Sequence, residues 1–115
     1  MCQNCERKFT EGGFVNAVKA HQTYPKYPVI TQAQQDNLSV FSTVNVKNCF
    51  GEGFWCSVVS IDGVNVKVKV CNNLVQTPTY NSGDTISIKR CHIRAILDEG
   101  GYEFLGNQMV AAIFH

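Results

Sequence analysis

The chain has 115 residues, a formal net charge of +1, 44% hydrophobic residues and only 17% charged ones. That length suits one domain, and the near-neutral balance excludes the strong basic excess of a dedicated nucleic-acid binder while leaving room for a local basic patch. No apolar run approaches the ~18 residues of a membrane span, and the polar N-terminus does not read as a secretion signal.

The first feature in chain order is MCQNCERKF, residues 1–9, which reads like the first half of a zinc finger. Cys2 and Cys5 have the ligand-pair spacing, and His21 follows Cys5 at the upper edge of the usual interval. The fourth ligand should come three to five residues later, but Pro25, Lys26 and Tyr27 stand there. Structural zinc needs a closed set of four. Cys2, Cys5 and His21 would therefore need a remote cysteine, such as Cys49 or Cys91, or a ligand from a second subunit. Otherwise the pair is a packed or terminal motif and His21 a hydrogen-bonded core residue. No cofactor other than zinc is expected.

The stretch TEGGFVNAVKAHQTY (10–24) places Phe14, Ala17, Val18 and His21 on one face of a helix, which Pro25 and Pro28 stop. Thr31 followed by Gln34 fits a capping box and predicts a short helix over 32–37. From Leu38 the period becomes two. SVFSTVNV (39–46) sets Val40, Val44 and Val46 against Phe41, Thr43 and Asn45, and FWCSVVSI (54–61) is a second apolar strand. Asp62-Gly63 is a favoured hairpin turn. Beyond it Val64, Val66, Val68 and Val70 share one face, and Asn65, Lys67, Lys69 and Cys71 the other. QTPTYNSGD is a polar loop, TISIKR (85–90) a further strand, and CHIRAIL (91–97) a bent strand or a single turn. After Gly100-Gly101, YEFL and MVAAIF read as two short strands, with a terminal helix as the alternative for the second.

These elements predict a mainly β protein (α+β): a small, bent SH3-like barrel of five to six short antiparallel strands with a helical N-terminal segment. The boundaries are 1–37 for that segment and 38–115 for the barrel with its apolar extension, the whole being one compact domain. Six cysteines without a secretory signal point to a reducing compartment and free thiols.

Within 51–96, the runs GEGFWCSVVSIDGVNVKVKVCNNLV and YNSGDTISIKRCHIRAI resemble a family of small uncharacterised β-barrel domains of bacteria, phages and large DNA viruses. The carrying motifs are the Phe-Trp strand opening, the Ile-Asp-Gly hairpin, Asn-Asn-Leu, Gly-Asp-x-Ile and the closing His-Ile. The family has no agreed catalytic residues, so the resemblance implies none here. The whole chain also resembles small virion proteins of the giant viruses of amoebae, which implies a location in the virion and host cytoplasm.

Enzymatic signals are weak. Cys91 and His92 are neighbours that would point to opposite faces of a strand, which no nucleophile–base pair allows. GEG and NSGD lack the context and lysine of a phosphate loop. The expectation is therefore a non-catalytic structural or protein-interaction module. It would self-associate, as a dimer, through Met109, Val110, Ile113 and Phe114 of the terminal apolar run. The alternative is a nucleic-acid accessory protein with a zinc-binding N-terminus. In it Lys67, Lys69, Lys89, Arg90 and Arg94 would contact phosphates, with Phe41, Phe54, Trp55 or Tyr80 available for stacking.

Overall fold

The computed structural model describes residues 8–97 in full, together with the backbone of 102–105 and 108–111. The fold is mainly β. It begins with a small hairpin, β1 (Thr10–Glu11) and β2 (Phe14–Val15), joined through Gly12 and Gly13, whose φ values of 63° and 91° suit glycine. Two short helices follow, α1 (Ala17–Thr23) and α2 (Gln32–Asp36). The main sheet comprises β3 (Thr43–Lys47), β4 (Gly53–Asp62), β5 (Asn65–Val70), β6 (Thr85–Lys89) and, after a single 3-10 turn at Arg90–His92, β7 (Ala95–Leu97). The strands β8 (Tyr102–Leu105) and β9 (Gln108–Ala111) continue it.

All pairings are antiparallel, and the order across the sheet is β6-β5-β4-β3-β7-β8-β9. The strands β3 to β6 form a meander, and β7 returns to pair with β3. Among the described residues no pairing joins β6 to β9, so the sheet is open.

The α2 capping box forms as its sequence predicts. Thr31 Oγ1 accepts the Gln34 N–H at 3.1 Å, and Gln34 Oε1 accepts the Thr31 N–H at 2.7 Å. The first helix differs from expectation. Phe14 belongs to β2, because the Gly12-Gly13 turn folds the chain back before the helix starts. Asn16 then caps α1 by accepting the Lys19 N–H at 3.1 Å. The buried stripe of α1 is Ala17 and Ala20, and Val18 is left exposed. The segment after α2 also differs: β3 begins at Thr43, and Val40 and Phe41 lie in the turn before it, both exposed. The hairpin turn falls one residue later than expected, at Gly63-Val64, because Asp62 still pairs with Asn65; Gly63 has φ 60°, and Val64 is exposed rather than on the valine face. The second half of the terminal run is a strand, β9, not a helix.

The core lies against the inner face of the sheet. Val44 and Val46, Phe54, Cys56 and Val58, Val66, Val68 and Val70, and Ile88 meet Ile93 there, and Phe14, Ile30, Leu38 and Leu74 close the edges. Each fully buried valine or leucine is worth about 1.5–3 kcal/mol. A second cluster of Val15, Ala17, Ala20 and Tyr27 seats α1. A β-bridge between Phe14 and Asn48 ties the first hairpin to the end of β3.

Candidate functional site

The outward face of β4, β5 and β6 is built in three register rows. Asp62 stands opposite Asn65, which stands opposite Lys89. Ser60, Lys67 and Ser87 form the second row, and Ser57, Lys69 and Thr85 the third. Period-two alternation makes this inevitable once Val66, Val68 and Val70 are buried. A β-bulge between Val58 and Ser60 leaves Val59 unpaired and 45% exposed. Lys67, Lys69 and Lys89 are exposed, and among the described residues the salt bridge is Lys19–Glu11, away from this face. Asp62, at one corner, is the only acid among these outward positions.

Three of the five expected basic residues are thus brought together. The other two are engaged elsewhere. Arg90 donates from Nε to the Gly63 carbonyl at 2.6 Å and from Nη1 to the Gln35 carbonyl at 3.1 Å, pinning the β4–β5 turn to α2. Arg94 donates from Nε to Asn45 Oδ1 at 2.6 Å, and its guanidinium lies so close over Gly53 that a Cβ there would collide with it.

The candidate aromatics separate sharply. Phe54 is in the core at 1% exposure. Tyr80 packs on Phe54 with ring centroids 6.1 Å apart and receives a hydrogen bond from Asn48; burial pushes its hydroxyl up, partly opposed by that bond. Trp55 is half-buried on β4. Phe41 is 84% exposed and has φ 76°, the one positive φ at a non-glycine among the described residues. The alternation pattern of 39–46 hid this, because it read Phe41 as an ordinary strand residue.

Cys91 and His92 form no catalytic pair. Both lie in the 3-10 turn rather than a strand. His92 is buried against Phe14, centroids 5.4 Å apart, and its Nδ1 accepts the Lys89 N–H at 3.1 Å. The neutral ring therefore carries its proton on Nε2, and it lines a cavity of about 160 Å³ with Glu11, Asn65, Ser87 and Lys89. Burial holds the imidazole below its ordinary value, against the Glu11 backbone carbonyl and carboxylate, which favour the proton. Burial, and next the Glu11 carboxylate, push the Cys91 thiol up, so it is a poorer thiolate than free cysteine. Cys56 is buried and pushed far above the ordinary thiol range. The described cysteines Cys49, Cys56, Cys71 and Cys91 are all free.

For the metal reading, His21 sits in α1 with Nδ1 2.9 Å from the Tyr27 carbonyl oxygen. An Nδ1–H donated there leaves the Nε2 lone pair for a ligand, the usual second-sphere arrangement at a metal-bound histidine. Cys2 and Cys5 lie outside the described residues, and among the described residues no three His, Cys, Asp or Glu side chains gather. Met109 and Val110 fall on β9, and Ile113 and Phe114 lie outside the described residues. Among the described residues no helix is long and apolar enough to cross a membrane.

The concave surface elsewhere is an open groove of about 740 Å³ between α1, α2 and the 3-10 turn, lined by Val18, Gln32, Gln35, Val64, Arg90 and Cys91 among others. Comparison with models of known protein families, with curated proteins and with solved structures gives no match.

Proposed function

We propose that this chain is a non-catalytic binding module whose ligand is a nucleic acid, held on the outward face of β4–β6. The observation that carries this reading is the placement of Lys67, Lys69 and Lys89 on one exposed face, among Ser57, Ser60, Thr85 and Ser87. Lysines without acidic partners attract phosphates, and hydroxyls donate to them without adding charge. The connectivity supports an SH3-like barrel as the scaffold: a four-strand meander, a 3-10 turn, and β7 returning to β3. The test is a titration of labelled oligonucleotides at about 50 and 200 mM salt. Binding that falls steeply with salt is expected. No binding at the lower salt rejects the reading.

A second reading is the self-associating module, a dimer in the virion-associated setting that the resemblance implies. It is favoured by β9, which pairs with β8 on one side and has no partner on the other among the described residues. An uncharged edge, Met109, Val110 and Ala111, lacks the lysines that guard edges against pairing. Successive N–H groups along a strand point to opposite neighbours. Of V110P and A111P, one therefore strikes the open edge and the other the β8 ladder. Exactly one should abolish dimers in light scattering while leaving the fold intact; a monomeric native chain at high concentration overturns this reading. Native mass spectrometry would also count any zinc held by Cys2, Cys5 and His21.

A further inference from the structure

Phe41 combines three features that rarely coincide. Its backbone is left-handed at φ 76°, a conformation that costs a bulky residue free energy and persists only where neighbours over-determine it. Its ring is 84% exposed, so burial does not offset that cost. And its surroundings hold the turn firmly. The Phe41 N–H donates to the Val58 carbonyl at 2.9 Å, the Val58 N–H to the Ser42 carbonyl at 2.8 Å, and the Ser42 N–H to the Ser39 carbonyl at 3.0 Å. The Ser39 N–H donates in turn to Ser42 Oγ at 3.1 Å.

The position of the turn gives the strain a use. Val58 pairs with Val68, which is flanked by Lys67 and Lys69. Phe41 therefore stands level with the gap between the two lysine rows, two strands away, or roughly 10 Å of backbone separation. Val40, its chain neighbour, and the bulged Val59, which follows its hydrogen-bond partner Val58, are also exposed apolar residues, at 44% and 45%. An exposed ring within roughly 10 Å of lysines that have no ion-pair partner among the described residues suits a nucleic-acid strand that stacks one base and has its neighbouring phosphates neutralised. Duplex bases are already stacked on each other and offer no free face.

Resting on the nucleic-acid reading above, we infer that the ligand is single-stranded and that Phe41 is the platform for an unpaired base, with Lys67 and Lys69 holding the phosphates of the same strand. The two apolar neighbours would cover the edge of the stacked base. Asp62, opposite Asn65, stands one row beyond Lys67 at the corner of the face.

The experiment is fluorescence anisotropy with an oligothymidylate of roughly 12 nucleotides, within the span of a small barrel, and with a duplex of equal length. The proteins are the native chain, F41N, F41W and K67Q/K69Q. Asparagine accepts the left-handed turn, so F41N keeps the fold, which circular dichroism verifies. F41N should weaken single-strand binding by about tenfold with an unchanged salt slope, and F41W should restore it. K67Q/K69Q should weaken it and flatten the slope by about 1.4, as two lost phosphate contacts on a single strand require. If F41N binds as well as the native chain while K67Q/K69Q does not, the platform is overturned and the lysine face stands. If the duplex binds as tightly as the single strand, the stacking assignment is likewise overturned. If the native chain binds neither, the nucleic-acid reading itself is rejected. Loss of self-association in F41N, with oligonucleotide binding untouched, would assign the ring to a protein contact and overturn the proposal.

Discussion

The two ends of β3 solve opposite problems. At its C-terminal end the turn is densely hydrogen-bonded around Asn48. Asn48 is 2% exposed; its Oδ1 accepts the Phe50 and Glu52 N–H groups at 3.0 Å, and its Nδ2 donates to Thr77 Oγ1 at 2.7 Å and Tyr80 OH at 3.1 Å. Glu52 then accepts from the Val75 N–H, the Gln76 N–H and the Thr77 hydroxyl, at 2.7, 2.9 and 2.9 Å, binding the loop 74–80 to the sheet. At the N-terminal end the turn is equally well held, but its product is an exposed ring on a strained backbone. One end contributes stability. The other spends some of it to present a side chain, as expected where structure serves binding rather than folding.

The largest test of that contrast is Asn48→Ala, which strands several buried partners and should cost about 3 kcal/mol in denaturant unfolding. A loss well under 1 kcal/mol would show that the turn is not the clamp described. Glu52→Gln should cost about 1–2 kcal/mol. It also has a pH signature. Burial raises the Glu52 carboxyl, but the donors from Val75, Gln76 and Thr77 outweigh it and hold the group below the ordinary carboxylate value. The unfolded chain then takes up the proton first. The contribution is present at neutral pH and is lost as pH falls through the ordinary carboxylate range toward the lowered folded value. In E52Q that part of the acid slope should disappear.

Phe41→Gly inverts the sign. Relief of the left-handed strain exceeds the entropy cost of glycine, so stability should rise by about 0.5–1 kcal/mol, and a loss instead would make the ring a structural element. The smallest effect concerns His92, which links the β6 end to Phe14. With its imidazole held low by burial, the unfolded chain protonates first, so stability is untouched above the ordinary histidine value near about 6.5 and declines as pH falls below it. Denaturant midpoints at neutral and mildly acidic pH should show this decline in the native chain and not in H92Q. Equal slopes in both would remove His92 from the acid response.

Much of the sheet was legible in the residues. The hairpin between β4 and β5, though turning at Gly63-Val64 one residue later than read, the inward Val66, Val68 and Val70, and the α2 capping box rest on contacts within a few positions in the chain, where local periodicity and turn chemistry speak for themselves. Because alternation forces the residues between three inward valines outward, the shared outward face of Lys67 and Lys69 was legible too. The helical reading of Phe14 failed where two strong local signals competed: the apolar spacing suited a helix, but Gly12-Gly13 turned the chain first. Arg90 and Arg94 looked like free cations because their partners, the Gln35 carbonyl and Asn45, stand 55 and 49 positions away in the chain.

The same division separates the two halves of the candidate surface. Its lysines follow from a period of two, which any extended strand obeys. Its aromatic does not, because the left-handed turn at Phe41 depends on hydrogen bonds to β4 that exist only once the segment before β3 has met that strand, and the bulge at Val59 beyond it exists only once β4 has paired with β5. Side-chain alternation is a property of one strand; exposure and strain at a particular residue are properties of its neighbours, and those come together only in the folded chain.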